Sequence, residues 1–385
     1  MLGFLPIFIL IGAAIAVAVL NFVPRGIGIA WFVSIIASLA AWVVLLVSKN
    51  QLPNTYSNTM LMNLGINYII PLFQIDMIIW PILLTILAVV NSALITSSAR
   101  IGLNASCWEW SGLLMLGALG YLACISSNVL TGILALGLFD LVDIVILLFT
   151  GNTKSDIRQN TLHIFWRFTS LFLLLTSFAW NSSFPGATGE WETLKAGPAL
   201  LVFAACFLRM TVWPSIKIGG LPRNSLNGLF FTRLFLGLLV ACSIVIQLPS
   251  FTASVTMRYL LLSYLILVIL VGVFWLTQNR DEIRPVAWQV IMACILSAEY
   301  IYGFSASAII FVTCIIPVLL ILFLDYPINR FSKVIGFLTI LAFSGIPFTP
   351  NNSGLAGLGL VGQIPGILFI PGAIAAFFFM IKGVI

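Results

Sequence analysis

The chain has 385 residues, 61% hydrophobic and only 7% charged, with a mean hydropathy of +1.17. A soluble domain is typically about a quarter charged, so these values exclude a water-soluble fold. The formal net charge of +6 comes from dispersed lysines and arginines, and without a basic cluster it does not point to nucleic acid.

In place of soluble domains, the length converts into spans. At roughly 20 residues each plus short connections, about 13 membrane helices fit. Continuous apolar runs of this length satisfy their backbone in lipid as helices, not as barrel strands. The first run, Met1 to Val23, lacks the basic start of a signal peptide and leads directly into a second span, so it reads as a retained helix. Helices are expected near 2–23, 26–48, 77–98, 108–126, 129–150, 162–181, 197–213, 224–247, 257–278, 284–303, 305–324, 331–347 and 354–382. The last contains Gly362, Pro365, Gly366 and Pro371 and reads as broken or kinked. The expected fold is an all-α integral membrane protein, a single polytopic domain over 1–385. Its loops at 49–76 and 181–195 are too small to form a domain of their own.

Basic residues orient the spans. With the N-terminus outside, the inner loops carry Arg25, Arg100, Lys154, Arg158, Lys217, Arg223, Arg280, Arg284, Arg330, Lys333 and Lys382. The outer side carries Lys49, Lys195 and Arg258. This positive-inside bias predicts N-out, C-in with an odd number of helices. Six cysteines stand singly in or beside apolar segments, with neither CxxC spacing nor histidine neighbours. They read as small packing residues, not as zinc, iron–sulfur or disulfide sites.

The informative residues are the charges within spans. Asp140 lies midway along Val129–Thr150, where an ionised carboxylate costs several kcal/mol and therefore marks a partner or a water-filled path. Asp143, three residues on, shares nearly the same helix face. Arg167, Arg209 and Arg233 fall in spans six, seven and eight, and Glu299 near the outer end of span ten. An acid and a base on separate helices neutralise each other, either as a static bridge or as part of an ion path. Pro214, five residues after Arg209, removes a backbone hydrogen bond and frees carbonyls near Arg209 and Met210. Such a break beside a charge suits an ion path, and equally an ordinary helix end. His163, the only histidine, is expected at the start of span six as an incidental interfacial imidazole.

Several of these segments resemble the antiporter-like, proton-translocating membrane subunits of NADH–quinone oxidoreductase (complex I), membrane hydrogenases and the Mrp cation/proton antiporters. Ser127-Asn128-Val129 followed by Phe139-Asp140-Leu141 is similar to that family's "S-N-L…W-E-L", with Asp140 at the key glutamate. Arg209, Pro214 and Leu221-Pro222 resemble its broken seventh helix, "K-x-A-x-x-P…W-L-P", with arginine for lysine. Ser225, Thr232 and Gly237 fit the following helix, where Arg233 is the nearest base. Leu276-Thr277-Gln278 with Asp281 to Trp288, and then Ser344-Gly345-Ile346-Pro347, are similar to two later motifs. The likeness runs over roughly 76–365 and implies an antiporter-like core with broken helices.

The departures are chemical. The family passes protons through lysines and a histidine, whereas the spans here hold no lysine except Lys382, and Ile283 and Leu355 stand at two of the family's charged positions. Arginine, with a pKa above about 12, does not release its proton in an ordinary cycle.

The resemblance implies a subunit of a complex-I-type, redox-coupled proton-translocating complex with a degenerate or altered path. The site is expected at Asp140, Asp143, Arg209 and Arg233, with the helix break at Pro214. The other readings are a subunit of a secondary cation/proton antiporter or of an inorganic-carbon uptake system, and a purely structural membrane subunit. No nucleophile–base pair, phosphate loop, haem-type histidine pair or flavin motif occurs. The chain is therefore expected to be non-catalytic, with no cofactor or metal of its own. Its expected partners are other membrane subunits and lipids, in a bacterial plasma membrane or an energy-transducing organelle membrane.

Overall fold

The computed structural model describes residues 2–23, 26–57, 72–97, 107–150, 154–184, 189–210 and 228–249, with single residues at 259, 263, 266 and 270. The chain divides into two units, Met1–Arg209 with Asn227–Pro249, and Met210–Leu226 with Ser250–Ile385. In the second, Met210, Tyr259, Ser263, Ile266 and Leu270 are described, and all are helical. Pro214 and every expected helix beyond residue 278 lie outside the described residues.

The first unit is built from helices α1 (Leu5–Leu20), α2 (Ile27–Ser48), α3 (Ile79–Thr96), α4 (Cys107–Ile125), α5 (Val129–Thr150), α6 (Lys154–Ser182), α7 (Ala196–Met210) and α8 (Gly228–Gln247). Five apolar helices of the described residues, α1 to α5 with their short extensions, are long enough to cross a membrane. Each expected span up to residue 247 is matched by one of the eight.

Helix α6 differs from its expected range. It starts at Lys154, ahead of the apolar run at 162, and its 29 residues extend about 43 Å at 1.5 Å per residue. Hydropathy does not register the first two turns, Lys-Ser-Asp-Ile-Arg-Gln-Asn, because they are polar.

Helix α4 is the hub. It packs against α1, α2, α3, α5 and α8, and Leu114, Leu116, Ala118, Tyr121 and Cys124 on it have no exposed surface. The periphery inverts the soluble pattern. On α5, Leu134, Leu138, Leu141, Val145 and Leu148 face outward at helical spacing while Asp140 and Asp143 are buried. On α6, Phe165, Phe168, Phe172 and Leu175 are exposed, whereas Arg167, Ser170, Leu174, Ser177 and Asn181 point inward. Apolar outside and polar inside is the arrangement that lipid imposes. Intrahelical serine and threonine hydroxyls close on their own carbonyls, as in Ser34 to Ala30 at 2.7 Å and Thr85 to Pro81 at 2.9 Å.

Successive helices run in opposite directions. At one end the Tyr121 hydroxyl donates to the Gly3 carbonyl (2.6 Å) and the Trp80 indole donates to Leu45 (3.0 Å). At the other, the Trp31 indole donates to Leu94 (2.9 Å) and the Phe22 and Trp108 rings meet edge to face. The first end carries the one departure from an all-helical fold among the described residues. Strands β1 (Asn54–Ser57) and β2 (Leu72–Ile75) pair antiparallel, with Asn54 opposite Ile75.

Backbone pairing continues beyond the hairpin and ties three connections together. The Ser127 amide donates to Leu72 (3.1 Å), the Trp191 amide to Ser127 (3.1 Å) and the Val129 amide to Gly189 (2.7 Å). Trp191 is buried at this junction, its indole nitrogen donating to the Ser126 carbonyl at 2.8 Å. Gly132 makes the room, since a Cβ there would stand 2.4 Å from the Trp191 ring. Loss of a large buried aromatic typically costs about 3–5 kcal/mol. Trp191→Ala is therefore expected to lower the thermal midpoint of the purified protein in detergent by several degrees. Gly132→Val is expected to do the same, and an unchanged midpoint in both would show that the junction contributes nothing.

Candidate functional site

Four helices deliver charge to one buried cluster. Helix α5 presents Asp140 and Asp143, α6 presents His163 and Arg167, α7 presents Arg209 and α8 presents Arg233. Asp140 lies eleven residues into α5, about 17 Å along its axis, near the middle of a hydrocarbon core about 30 Å thick. Asp140 is 2% exposed and Asp143 3%, so both are withdrawn from water and depend on partners.

Asp140 is held by a fork. Arg209 donates from Nη1 to Oδ1 at 2.9 Å and from Nη2 to Oδ2 at 2.6 Å, the bidentate geometry that suits a guanidinium to a carboxylate. The third donor of Arg209, Nε, goes to the Ser170 hydroxyl at 2.7 Å, and Ser170 in turn donates to the Ala205 carbonyl at 3.0 Å. Ser177 repeats this link lower on the same stripe, donating to Pro198 at 2.8 Å. These hydroxyl-to-carbonyl bonds hold α6 to α7 and set the angle from which Arg209 reaches α5.

One helix turn on, Asp143 is shared. Arg233 donates from Nε to Oδ1 at 2.7 Å and approaches with Nη2 at 2.5 Å, while Nη2 also reaches the Asp143 carbonyl at 3.3 Å. The other carboxylate oxygen, Oδ2, lies 2.9 Å from Nε2 of His163.

Arg167 stands between the two acids. Its Nη1 is 3.6 Å from Asp140 Oδ1, beyond hydrogen-bond distance, and is buried without a hydrogen-bond partner. Its Nε donates to His163 Nε2 at 3.4 Å, and its Nη2 lies against Gly237, where a Cβ would stand 2.8 Å away. The charges thus form one row: Arg209, Asp140, Arg167, His163, Asp143, Arg233.

Neither a protein-family model nor a curated protein matches the chain. Solved structures do. A chain of the Mrp complex from Dietzia sp. DQ12-45-1b superposes with a TM-score of 0.77 at 13% identity, covering 99% of this chain and 46% of that one. A chain of the membrane-bound sulfane sulfur reductase, an archaeal respiratory membrane complex, matches at 0.72 and 15% identity, over 97% and 69%. A chain of respiratory complex I from Thermus thermophilus with bound Aureothin matches at 0.69 and 13% identity, over 97% and 88%. The fold is shared with these chains of three membrane complexes. The chain is an integral, multi-pass membrane protein that spans less than half the length of the Mrp complex chain it matches.

The structure brings Asp140 together with Arg209, and Asp143 with Arg233; Pro214 lies outside the described residues. Two members of the row, Arg167 and His163, were not among the residues expected to form the site. His163 is not at a helix start but ten residues inside α6, because that helix extends back to Lys154. One signal for both was present in the sequence. His163, Arg167, Ser170, Ser177 and Asn181 fall at helical spacing, a polar stripe along the apolar part of α6 that only Leu174 interrupts. Among the described residues no group of histidine, cysteine and acidic side chains is placed to hold a metal. Cys107, Cys124, Cys206 and Cys242 are free and buried.

Removing one partner from a buried ion pair typically costs about 3–5 kcal/mol, because the other charge is left unpaired in low dielectric. Arg209→Leu is expected to cost about 3 kcal/mol, the lower end, since Arg167 is 3.6 Å away and able to approach Asp140. Adding Asp140→Asn to Arg209→Leu should recover most of the loss. Denaturant unfolding in detergent measures both, and a double variant no more stable than the single would contradict the assignment.

Proposed function

We propose that this chain is an antiporter-like subunit of a complex-I-type, redox-coupled proton-translocating membrane complex, with an altered proton path. The observation that carries the proposal is the buried row of alternating charges across α5 to α8, in a fold shared with chains of respiratory membrane complexes. A static bridge needs one acid and one base. Here two acids, three guanidiniums and an imidazole run in sequence through the bilayer interior, an arrangement that suits charge displacement.

The division of labour follows from the side-chain chemistry. Arginines keep their protons, so Arg209 and Arg233 serve as fixed counterions to Asp140 and Asp143. Groups able to exchange a proton are the two carboxylates and His163. A path using arginines where lysines are expected is altered in kind: the cations steer by field and by movement, not by deprotonation. With the N-terminus outside, the β1–β2 end faces out and Arg233, six residues into α8, lies toward the inner face.

A second reading, a subunit of a secondary cation/proton antiporter, is favoured by the likeness to the Mrp complex chain. Partners separate the two. Copurification with iron–sulfur redox subunits supports the first, and copurification with other antiporter subunits supports the second.

The live path has its own test. In proteoliposomes containing the assembled complex, Asp140→Asn is expected to reduce proton transfer per assembled complex at least tenfold, an effect of order 1.4 kcal/mol or more on the barrier. Proton transfer at the wild-type rate in this variant would rule the path out and leave a structural subunit.

A further inference from the structure

We propose that Arg167 is a positioning residue that reads the proton on His163 Nε2 and shifts its guanidinium between His163 and Asp140 accordingly. The inference rests on the proton-path reading and deepens it. It begins from a conflict in hydrogen-bond roles. Nε2 of His163 lies 2.9 Å from Asp143 Oδ2, which is an acceptor when ionised, and 3.4 Å from Arg167 Nε, which is always a donor. A single ring nitrogen either carries a hydrogen and donates or lacks one and accepts, so it serves one neighbour at a time.

Two states follow. With a hydrogen on Nε2, His163 donates to Asp143, and the N–H groups of ring and guanidinium oppose each other. Arg167 then swings Nη1 across the remaining gap toward Asp140 Oδ1, now 3.6 Å away. With Nε2 bare and the hydrogen on Nδ1, Arg167 Nε–H bonds the ring and Asp140 is left to Arg209 alone. The states are the two tautomers of the neutral ring: the N–H bond at Nε2 breaks, an N–H bond forms at Nδ1, and Asp143 stays ionised and held by Arg233 in both.

The surroundings suit a moving group. Arg167 is 7% exposed, and its Nη1 is buried without a hydrogen-bond partner. Neither of its two neighbours holds it at ideal distance, while Arg209 is fixed by three bonds of 2.9 Å or less. On α8 the guanidinium rests against Gly237, where any side chain would occupy its space. The charged groups facing the pair from neighbouring helices, among the described residues, are Asp140 and Asp143 on α5, Arg209 on α7 and Arg233 on α8. Arg233 binds Asp143 in either state through Oδ1 and the main-chain carbonyl. Neutral imidazole carries its one hydrogen on either ring nitrogen, and His163 is the one side chain of the row with two neutral tautomers.

The chain has one histidine, so full-length protein labelled with [15N]histidine and purified through a histidine-free tag reports only this ring. Nitrogen chemical shifts distinguish the Nε2–H from the Nδ1–H tautomer. Arg167→Gln removes the donor that stabilises bare Nε2 and is expected to raise the Nε2–H population. Asp140→Asn weakens the opposing pull on Arg167 and is expected to raise the Nδ1–H population. Each shift should be about three- to tenfold, the ratio that one hydrogen bond supplies. Arg167→Lys, which retains charge but lacks Nε–H, should act like Arg167→Gln and serves if that variant does not fold. Unchanged tautomers, or shifts in the same direction for Arg167 and Asp140 variants, would overturn the toggle. The tautomer readout is independent of transport: opposed shifts in a protein that moves no protons would sink the proton-path reading and leave the toggle standing.

Discussion

Two carboxylates one turn apart on a membrane-spanning helix impose the requirement that organises this protein. Neither reaches water, and each must be neutralised by a base on another helix. Asp140 takes Arg209 from α7, and Asp143 takes Arg233 from α8 and His163 from α6. Magnitudes show why these pairs outrank the other contacts. A hydrogen bond between membrane helices averages about 0.6 kcal/mol, whereas leaving one buried charge unpaired costs about 3–5 kcal/mol. The serine-to-carbonyl links of α6 and α7 refine an arrangement that the carboxylates demand.

The same charges explain the division between hub and periphery. Helix α4 holds α1, α2, α3, α5 and α8 by close packing of small and branched side chains. In lipid, where apolar surface gains nothing by association, close packing is the available attraction. Helices α6 and α7 offer less of it and more polarity. Their inner faces carry Arg167, Ser170, Ser177 and Arg209, and the outer face of α6 carries phenylalanine and leucine. The protein thus has a tightly packed body on one side of α5 and a polar seam on the other, and in the function we propose the seam is where a proton finds partners. The cap formed by β1, β2 and the connections at 126–129 and 189–194 closes one end of the unit. It satisfies backbone groups that the helix ends leave open.

Arginine in place of lysine changes what such a seam does. A lysine can give up its charge when desolvated; a guanidinium keeps its charge and its fork geometry. A row with three arginines and two aspartates therefore never empties of charge, and its states differ by where guanidiniums lean. His163, in contact with Asp143 and Arg167 together, is in the toggle we propose the group whose hydrogen alters that leaning.

Much of this was legible in the chain itself. Composition dictated a membrane protein, apolar run length placed the first eight helices to within a few residues apart from the start of α6, and the cost of burying Asp140 marked the site. Those properties depend on residue type and local spacing, which a sequence states outright. The polar start of α6 escaped notice because hydropathy does not register polar secondary structure, and the β1–β2 hairpin because each strand is only four residues long. Which base meets which acid was decided only by tertiary structure. Arg209 and Asp140 are 69 residues apart, and Arg233 and Asp143 are 90 apart. Pairing over such separations depends on the angle at which each helix crosses α5, set by packing and not by any local pattern. His163 shows the limit most clearly: by type and position it read as a bystander, and only the fold places its ring between an aspartate and an arginine.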